Sequence, residues 1–256
     1  MVTDEQRART LARFAEHREA WRANAALRRL YADWYGRIRA CLPDPALGPA
    51  VELGSGPGFA REFIPELRLS DVVRAPWHDL EISADALPFP DASLGAVVMF
   101  DVLHHLAAPA AFFAEAERVL RPGGRVIMCE PYVSPLSFPV YRWLHEEPLE
   151  LGVDPFAAQV SPAGGKDPFD SNQAVPTLMF SRATARAAFG ARFPRLRVVS
   201  VVRLAGISYP ASGGFSRRPL LPAPLWRALL HAESLLPEWV FRVCGFRVLI
   251  VVERRP

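Results

Sequence analysis

The sequence predicts an α/β fold: a seven-stranded, mostly parallel sheet with helices on both faces. Three observations carry that expectation. From residue 50 onward, short apolar runs alternate with helical patterns, as in parallel sheets built from strands and crossover helices. A glycine-rich turn, Gly54-Ser55-Gly56-Pro57-Gly58, directly follows the first of these runs, at the end where open α/β sheets bind ligands. Half of the 256 residues are hydrophobic and 22% are charged, a composition that supports a packed core and not a disordered chain. The length suits one large domain with insertions, so 1–256 is read as a single domain.

The elements follow in order. Residues 1–42 form an N-terminal helical cap, with Leu11, Phe14, Trp21, Leu27, Leu30, Tyr31, Trp34 and Tyr35 at helical intervals. Pro43, Asp44, Pro45 and Gly48 break it. Strands are expected at Ala50–Leu53, Leu67–Val73, Leu80–Ser83, Ala96–Phe100, Arg125–Cys129, Leu196–Val202 and Phe246–Val252, and residues 50–130 make the core. The short, Pro76-containing segment between Val73 and Leu80 cannot supply a crossover helix, which shortens the second crossover to a loop. A helix over 108–120 starts near Pro109, buries Phe112, Phe113, Ala116, Val119 and Leu120, and stops at Arg121-Pro122-Gly123-Gly124. Residues 131–180 and 208–240 break the alternation. They read as two insertions forming a lid above the sheet, the first with a helix around 137–146.

Charge and cysteines narrow the function classes. The formal charge is +3 with a pI near 9.0, but the arginines are spread along the chain among acids, and no block resembles a phosphate-tracking patch. A nucleic-acid partner is not expected. Cys41, Cys129 and Cys244 are odd in number and lack zinc-site spacing, which fits free thiols in a reducing compartment. With a charged N-terminus unlike a signal peptide, the expected location is cytoplasmic. The apolar run Val248–Val252 is too short to span a bilayer.

The glycine turn carries the chemistry. A dinucleotide loop requires glycine where this chain has Phe59, whereas glycine falls at 58. Glu52-x-Gly54-x-Gly56-x-Gly58 instead resembles the first motif of class I S-adenosylmethionine-dependent methyltransferases. A carboxylate about 20 residues on, at the end of the second strand, suits ribose hydroxyls, and Asp71 stands there. Asp85-Ala86-Leu87-Pro88-Phe89 is similar to the family's third-strand segment, shortened by one residue; the resemblance places Asp85 and the Ala86 N–H beside the adenine. Ala96 to Leu106, including Phe100-Asp101 and Leu103-His104-His105-Leu106, resembles the fourth strand and its continuation. Arg118-Val119-Leu120-Arg121-Pro122-Gly123-Gly124 resembles the turn before the fifth. Leu30-Tyr31-x-x-Trp34-Tyr35, His145-Glu146-Glu147-Pro148, Asn172-Gln173-Ala174 and Tyr209 to Phe215 further resemble a bacterial subgroup of type 11-like methyltransferases. The resemblance implies a Rossmann-like class I methyltransferase fold, S-adenosyl-L-methionine as cofactor and S-adenosyl-L-homocysteine as product. The implied cofactor residues are Glu52, Gly54, Ser55, Gly56, Gly58, Asp71, Asp85, Ala86, Phe100 and Asp101.

Methyl transfer needs an acceptor held in line and, for a protonated nucleophile, a base. His104 and His105, after the fourth strand, and His145, in the first insertion, are the candidate bases. Tyr31, Tyr35, His145, Glu146, Glu147 and Tyr209 are candidate acceptor-binding residues, although Tyr31 and Tyr35 also read as a core stripe. His145-Glu146-Glu147 could join other ligands around a metal or end a solvated helix. No Asp-Asp-Asn set is visible, so no metal site is assigned. Ser212-Gly213-Gly214 reads as a turn or a loop closing over the acceptor. The expected function is methylation of a hydroxyl or amino group on a small molecule, a specialised metabolite or sugar, by a monomer or homodimer. The alternative is a non-catalytic or repurposed cofactor-binding scaffold or partner protein. The Leu225–Leu236 helix, with Trp226, Leu229, Leu230, Leu235 and Leu236, reads as packed on the sheet in preference to lying on a bilayer.

Overall fold

The computed structural model describes residues 2–157, 160, 171–216 and 218–256. Its sheet contains β1 (Ala50–Leu53), β2 (Arg68–Asp71), β3 (Leu80–Glu81), β4 (Leu94–Phe100), β5 (Leu120–Pro131), β6 (Leu196–Leu204) and β7 (Arg247–Arg254), in the order β3-β2-β1-β4-β5-β7-β6. Strands β1 to β5 are parallel to their neighbours, and β7 runs antiparallel between β5 and β6. The C-terminal ends of β1 to β5 therefore share one edge. The pairing of Pro131 with Arg247 brings the first residue of β7 to that same edge.

One face of the sheet is covered by α3 (Pro109–Val119), α5 (Val175–Phe180) and α6 (Ala183–Arg192). Phe112, Phe113, Phe180 and Phe189 are fully buried there among Val97, Val126 and Ile250. The opposite face carries a correction. The alternation of strands with crossover helices implies a helix after the glycine turn, yet the chain makes a single 3-10 turn at Phe59–Glu62 before β2. No helix joins β2 to β3, as the short connection requires, and none joins β3 to β4 either. The N-terminal segment supplies the missing layer. It forms α1 (Asp4–Ala23) and α2 (Ala25–Cys41), and α2 packs Trp34 and Ile38 with Val98, Ile127 and Val251. With that face taken, a second helix after β1 would have no surface to bury.

Local chemistry explains the join between α1 and α2. Thr3 and Gln6 form a reciprocal capping box at the start of α1. Asn24 ends α1 and caps α2, its Oδ1 accepting the Leu27 N–H at 3.0 Å. Its amide donates to the carbonyls of Ser212 (2.8 Å) and Gly214 (3.2 Å). The Ser212-Gly213-Gly214 turn is thus pinned to the helix junction.

In the first insertion α4 (Ser137–Trp143) lies within the helix expected at 137–146; residues 158–159 and 161–170 of that insertion lie outside the described residues. The second insertion holds α7 (Ser208–Ala211), α8 (Ala223–Ser234) and α9 (Glu238–Cys244). Core packing accounts for Trp226, whose indole N–H donates to the Ser208 carbonyl at 2.9 Å, and for the partly buried Leu229 and Leu230. It does not account for Leu225, Leu235 and Leu236, which face outward. Among the described residues, no helix is long and apolar enough to cross a membrane.

Candidate active site

The turn after β1 has its three glycines in the left-handed region, at φ +62° (Gly54), +48° (Gly56) and +79° (Gly58). Two of them are also sterically required. A Cβ at Gly54 would sit 2.6 Å from Val102 Cγ2, and one at Gly58 would sit 2.5 Å from the Trp77 ring. Asp71, at the end of β2, fastens the turn: Oδ2 accepts the Gly56 N–H at 2.9 Å and Oδ1 the Val73 N–H at 3.0 Å. Burial pushes the Asp71 carboxyl above its ordinary pKa, against the pull of those two N–H groups.

The surface of the turn is in use by the chain itself. The Trp77 indole N–H donates to the Gly56 carbonyl at 2.8 Å. His78 Nδ1 accepts the Ala75 N–H at 3.1 Å, which makes Nε2 the donor to the same Gly56 carbonyl at 2.7 Å. From α1, the Arg18 guanidinium lies 4.3 Å from the Trp77 ring centroid and also donates to the Pro57 carbonyl at 2.7 Å. Phe14 tilts against Trp77 at 6.4 Å between centroids. The sequence reading did not single out Trp77 or His78. Their only signal was a bulky pair in a connection too short for a helix.

Behind the turn, Glu52 is 1% exposed; Oε1 accepts the Tyr35 hydroxyl at 2.9 Å, and Oε2 has no hydrogen-bond partner among the described residues. Burial raises its pKa to about 7. Tyr31 and Tyr35 are core residues, in line with the stripe reading and against the acceptor-binding one. They stack on Phe100 at 4.8 and 5.1 Å, and burial among these rings leaves them no surface to offer a substrate. Phe100 is likewise buried, while Asp85 and Ala86 stand exposed in a tight turn after β3, bridged by Ser83 and Ala86.

At the end of β4 the polarity changes. Asp101 has φ +58° and pairs with Arg247 of β7 at 2.6 Å. The Arg247 side chain is 3% exposed and lies over the rings of Trp34, Phe100 and Tyr209 at 5.1, 5.2 and 5.4 Å. Asp101 Oδ1 is buried without a hydrogen-bond partner among the described residues. Burial raises the pKa of the neighbouring Tyr209 hydroxyl to about 12, so it stays a neutral donor.

Beyond Asp101, Glu130 at the end of β5 organises the next turn. Its Oε1 accepts the N–H groups of Val102 (2.9 Å) and Leu103 (2.8 Å), and its Oε2 meets His104 Nδ1 at 2.7 Å. The other nitrogen of His104 faces Glu147 Oε2 at 3.4 Å, and His105 Nε2 faces Glu147 Oε1 at 3.7 Å. Burial alone would lower the His104 pKa, but the two carboxylates outweigh it and raise it to about 10. Burial works to raise the Glu147 pKa, yet His104, His105 and His145 draw it far below its ordinary value.

The shared edge therefore gathers Gly54 to Gly58, Asp71, Asp101, His104, His105 and Glu147. It does not gather all of the expected site. His145 and Glu146 are exposed beyond α4; Glu146 pairs with Arg13 at 3.2 Å, and His145 Nδ1 accepts the Glu147 N–H at 3.2 Å. The two carboxylates that raise the His104 pKa weaken it as a base candidate. Glu130 and Arg247 were missed. The signal available for both was a charged residue closing an apolar strand, Met128-Cys129-Glu130 and Arg247-Val248-Leu249.

Comparison with known proteins agrees with this geometry. Residues 51–128 match the family model described as a methyltransferase domain. Over 58 residues the chain is 43% identical to the demethylmenaquinone methyltransferase of Tropheryma whipplei (strain Twist), covering 22% of this chain and 24% of that protein. Over 95 residues it is 34% identical to a probable S-adenosylmethionine-dependent methyltransferase of Mycolicibacterium smegmatis, covering 32% of this chain and 37% of that one. The matches thus span about a quarter to a third of these relatives. Among solved structures, a chain from the complex of the Haloferax volcanii Trm112 methyltransferase activator with its methyltransferase aligns over 100% of both chains, at TM-score 0.52 and 16% identity, a likeness of fold. Residues 51–128 thus match a methyltransferase domain, and the sheet order and the left-handed glycine turn agree with a Rossmann-like class I methyltransferase fold.

Proposed function

We propose that this chain transfers a methyl group from S-adenosylmethionine to a hydroxyl or amino group of a small molecule, a specialised metabolite or sugar. The observation that carries the reading is the bare-backbone turn at Gly54 to Gly58, stapled to Asp71 at the C-terminal edge of the sheet. The turn is suited to the cofactor. It already holds a flat heteroaromatic ring, the Trp77 indole, against backbone without side chains, with an N–H on the Gly56 carbonyl. An adenosyl ligand making similar contacts requires Trp77 and His78 to swing away, and Asp71 to exchange a backbone N–H for a ribose hydroxyl. When bound, the cofactor supplies an electrophilic methyl on a sulfonium.

The chain's own residues then have distinct tasks. Gly54 to Gly58 and Asp71 bind and orient, while Phe100, Tyr31 and Tyr35 form an apolar floor that keeps water out. Asp101, partly exposed, and the buried Arg247 present a fixed charge pair beside that floor. Proximity is the main contribution such a site makes, worth roughly 7–11 kcal/mol of barrier when the acceptor is well oriented. His105, less buried than His104, is the base candidate that the geometry favours.

One observation favours the second reading, a cofactor-binding scaffold without turnover: the chain's own indole and imidazole occupy the Gly56 carbonyl. Calorimetry with S-adenosylhomocysteine, followed by transfer of label from S-adenosylmethionine into a small-molecule extract, separates the two. Binding with transfer supports the enzyme, and binding without transfer supports the scaffold. Absence of binding by the folded protein overturns both.

A further inference from the structure

We propose that His104, His105 and Glu147 form a three-ligand site for a divalent transition metal at the edge of the sheet beyond β4. Ligand atoms from the three side chains all lie within 4.8 Å of one another. The individual separations carry the argument. His104 Nε2 to Glu147 Oε2 is 3.4 Å and His105 Nε2 to Glu147 Oε1 is 3.7 Å. Charge-assisted hydrogen bonds close to about 2.7–2.9 Å. Two ligands at about 2.0–2.1 Å from one tetrahedral ion stand roughly 3.4 Å apart. These ion pairs are longer than close charge-assisted hydrogen bonds and match the spacing of ligands around a shared ion.

Its surroundings fit the same reading. A ligating histidine is usually held by a carboxylate on its other ring nitrogen, which fixes the tautomer and the ring plane. Glu130 does this for His104 at 2.7 Å, itself anchored by the Val102 and Leu103 N–H groups. Gln173 donates to Glu147 and orients that carboxylate. Solvent access comes from the outer side, where His105 is 18% and Glu147 27% exposed against 2% for His104. Two imidazoles and one carboxylate suit zinc, cobalt, iron or manganese rather than calcium or magnesium. Three protein ligands leave a position open for water or an acceptor oxygen, as in catalytic rather than structural zinc sites. A second grouping, Asp101 with His104 and Glu130, is less suited because Asp101 is engaged by Arg247. The metal site does not depend on methyl transfer; with an ion bound, His105 is a ligand and no longer a base.

The test uses the full-length, tag-free chain after treatment with a chelator. Titration with Zn2+ is expected to give one tight site per chain, and titration with Co2+ a tetrahedral visible spectrum without a thiolate charge-transfer band. His105→Ala and Glu147→Gln should each weaken Zn2+ binding at least about 100-fold, by analogy with loss of other metal-site groups. Glu146→Gln, one residue away and exposed, should leave it unchanged. The proposal is overturned if the wild type binds neither ion, if binding survives both ligand substitutions, or if the Co2+ spectrum carries a thiolate band. Should the variants fail to fold, the wild-type titrations and the Co2+ spectrum still decide.

Discussion

Glu52→Gln probes the buried carboxyl behind the glycine turn, and its effect should depend on pH. Glu52 is 1% exposed, and its pKa rises from 4.5 to about 7 on folding because burial penalises the charge. A raised folded-state pKa means that the native protein binds more protons than the unfolded chain between those values. The stabilising contribution is therefore full below about pH 4.5 and lost as pH rises through about 7. At about 1.4 kcal/mol per unit, the whole effect is about 3 kcal/mol, of which about 2 to 3 lies between pH 8 and pH 5. Glutamine keeps the acceptor for the Tyr35 hydroxyl but cannot titrate. Its amide inherits the unpartnered position of Oε2, which adds a constant offset and leaves the pH dependence interpretable. Urea unfolding of both proteins at several pH values gives the measurement. Relative to the variant, the wild type should gain stability as pH falls from about 8 to 5. Parallel stability curves across that range would refute the reasoning, since Glu52 would then be charged and solvated in the native state.

Other substitutions test other parts of the site. Asp101→Ala leaves the Arg247 guanidinium buried and uncompensated and should cost about 3 kcal/mol in urea unfolding; a loss under about 1 kcal/mol would show that the aromatic rings alone hold that charge. Gly54→Ala puts a Cβ against Val102 at 2.6 Å, whereas Gly56→Ala meets only Phe14 at 3.6 Å. Both pay for a positive φ, so Gly54→Ala should lower thermal stability by about 1 kcal/mol or more beyond Gly56→Ala; equal losses would count against the Val102 contact. Trp77→Ala removes the indole from the glycine turn, with its hydrogen bond and its contact to Arg18. Those contacts are worth about 1–2 kcal/mol, so calorimetry should show S-adenosylhomocysteine binding roughly 5- to 30-fold tighter than in the wild type. Weaker binding would mean that the indole stacks on the ligand instead of competing with it.

What the sequence determined by itself was the material that acts locally or in series. Strand positions followed from apolar runs, the left-handed turn from alternate glycines, and the missing second crossover from the length between Val73 and Leu80, because each depends on a few neighbouring residues. Tertiary structure alone decided what those elements face. The N-terminal tyrosines became core because α2 fills the layer that the β1 connection leaves uncovered. His145-Glu146-Glu147 was divided, with Glu147 joining His104 and His105 while its neighbours stayed in solvent. Glu130, Arg247, Trp77 and His78 meet their partners 15 or more residues away in the chain, through strand register and a folded-back loop. Side-chain pairing across a sheet edge depends on strand order and direction, which hydrophobic periodicity does not encode.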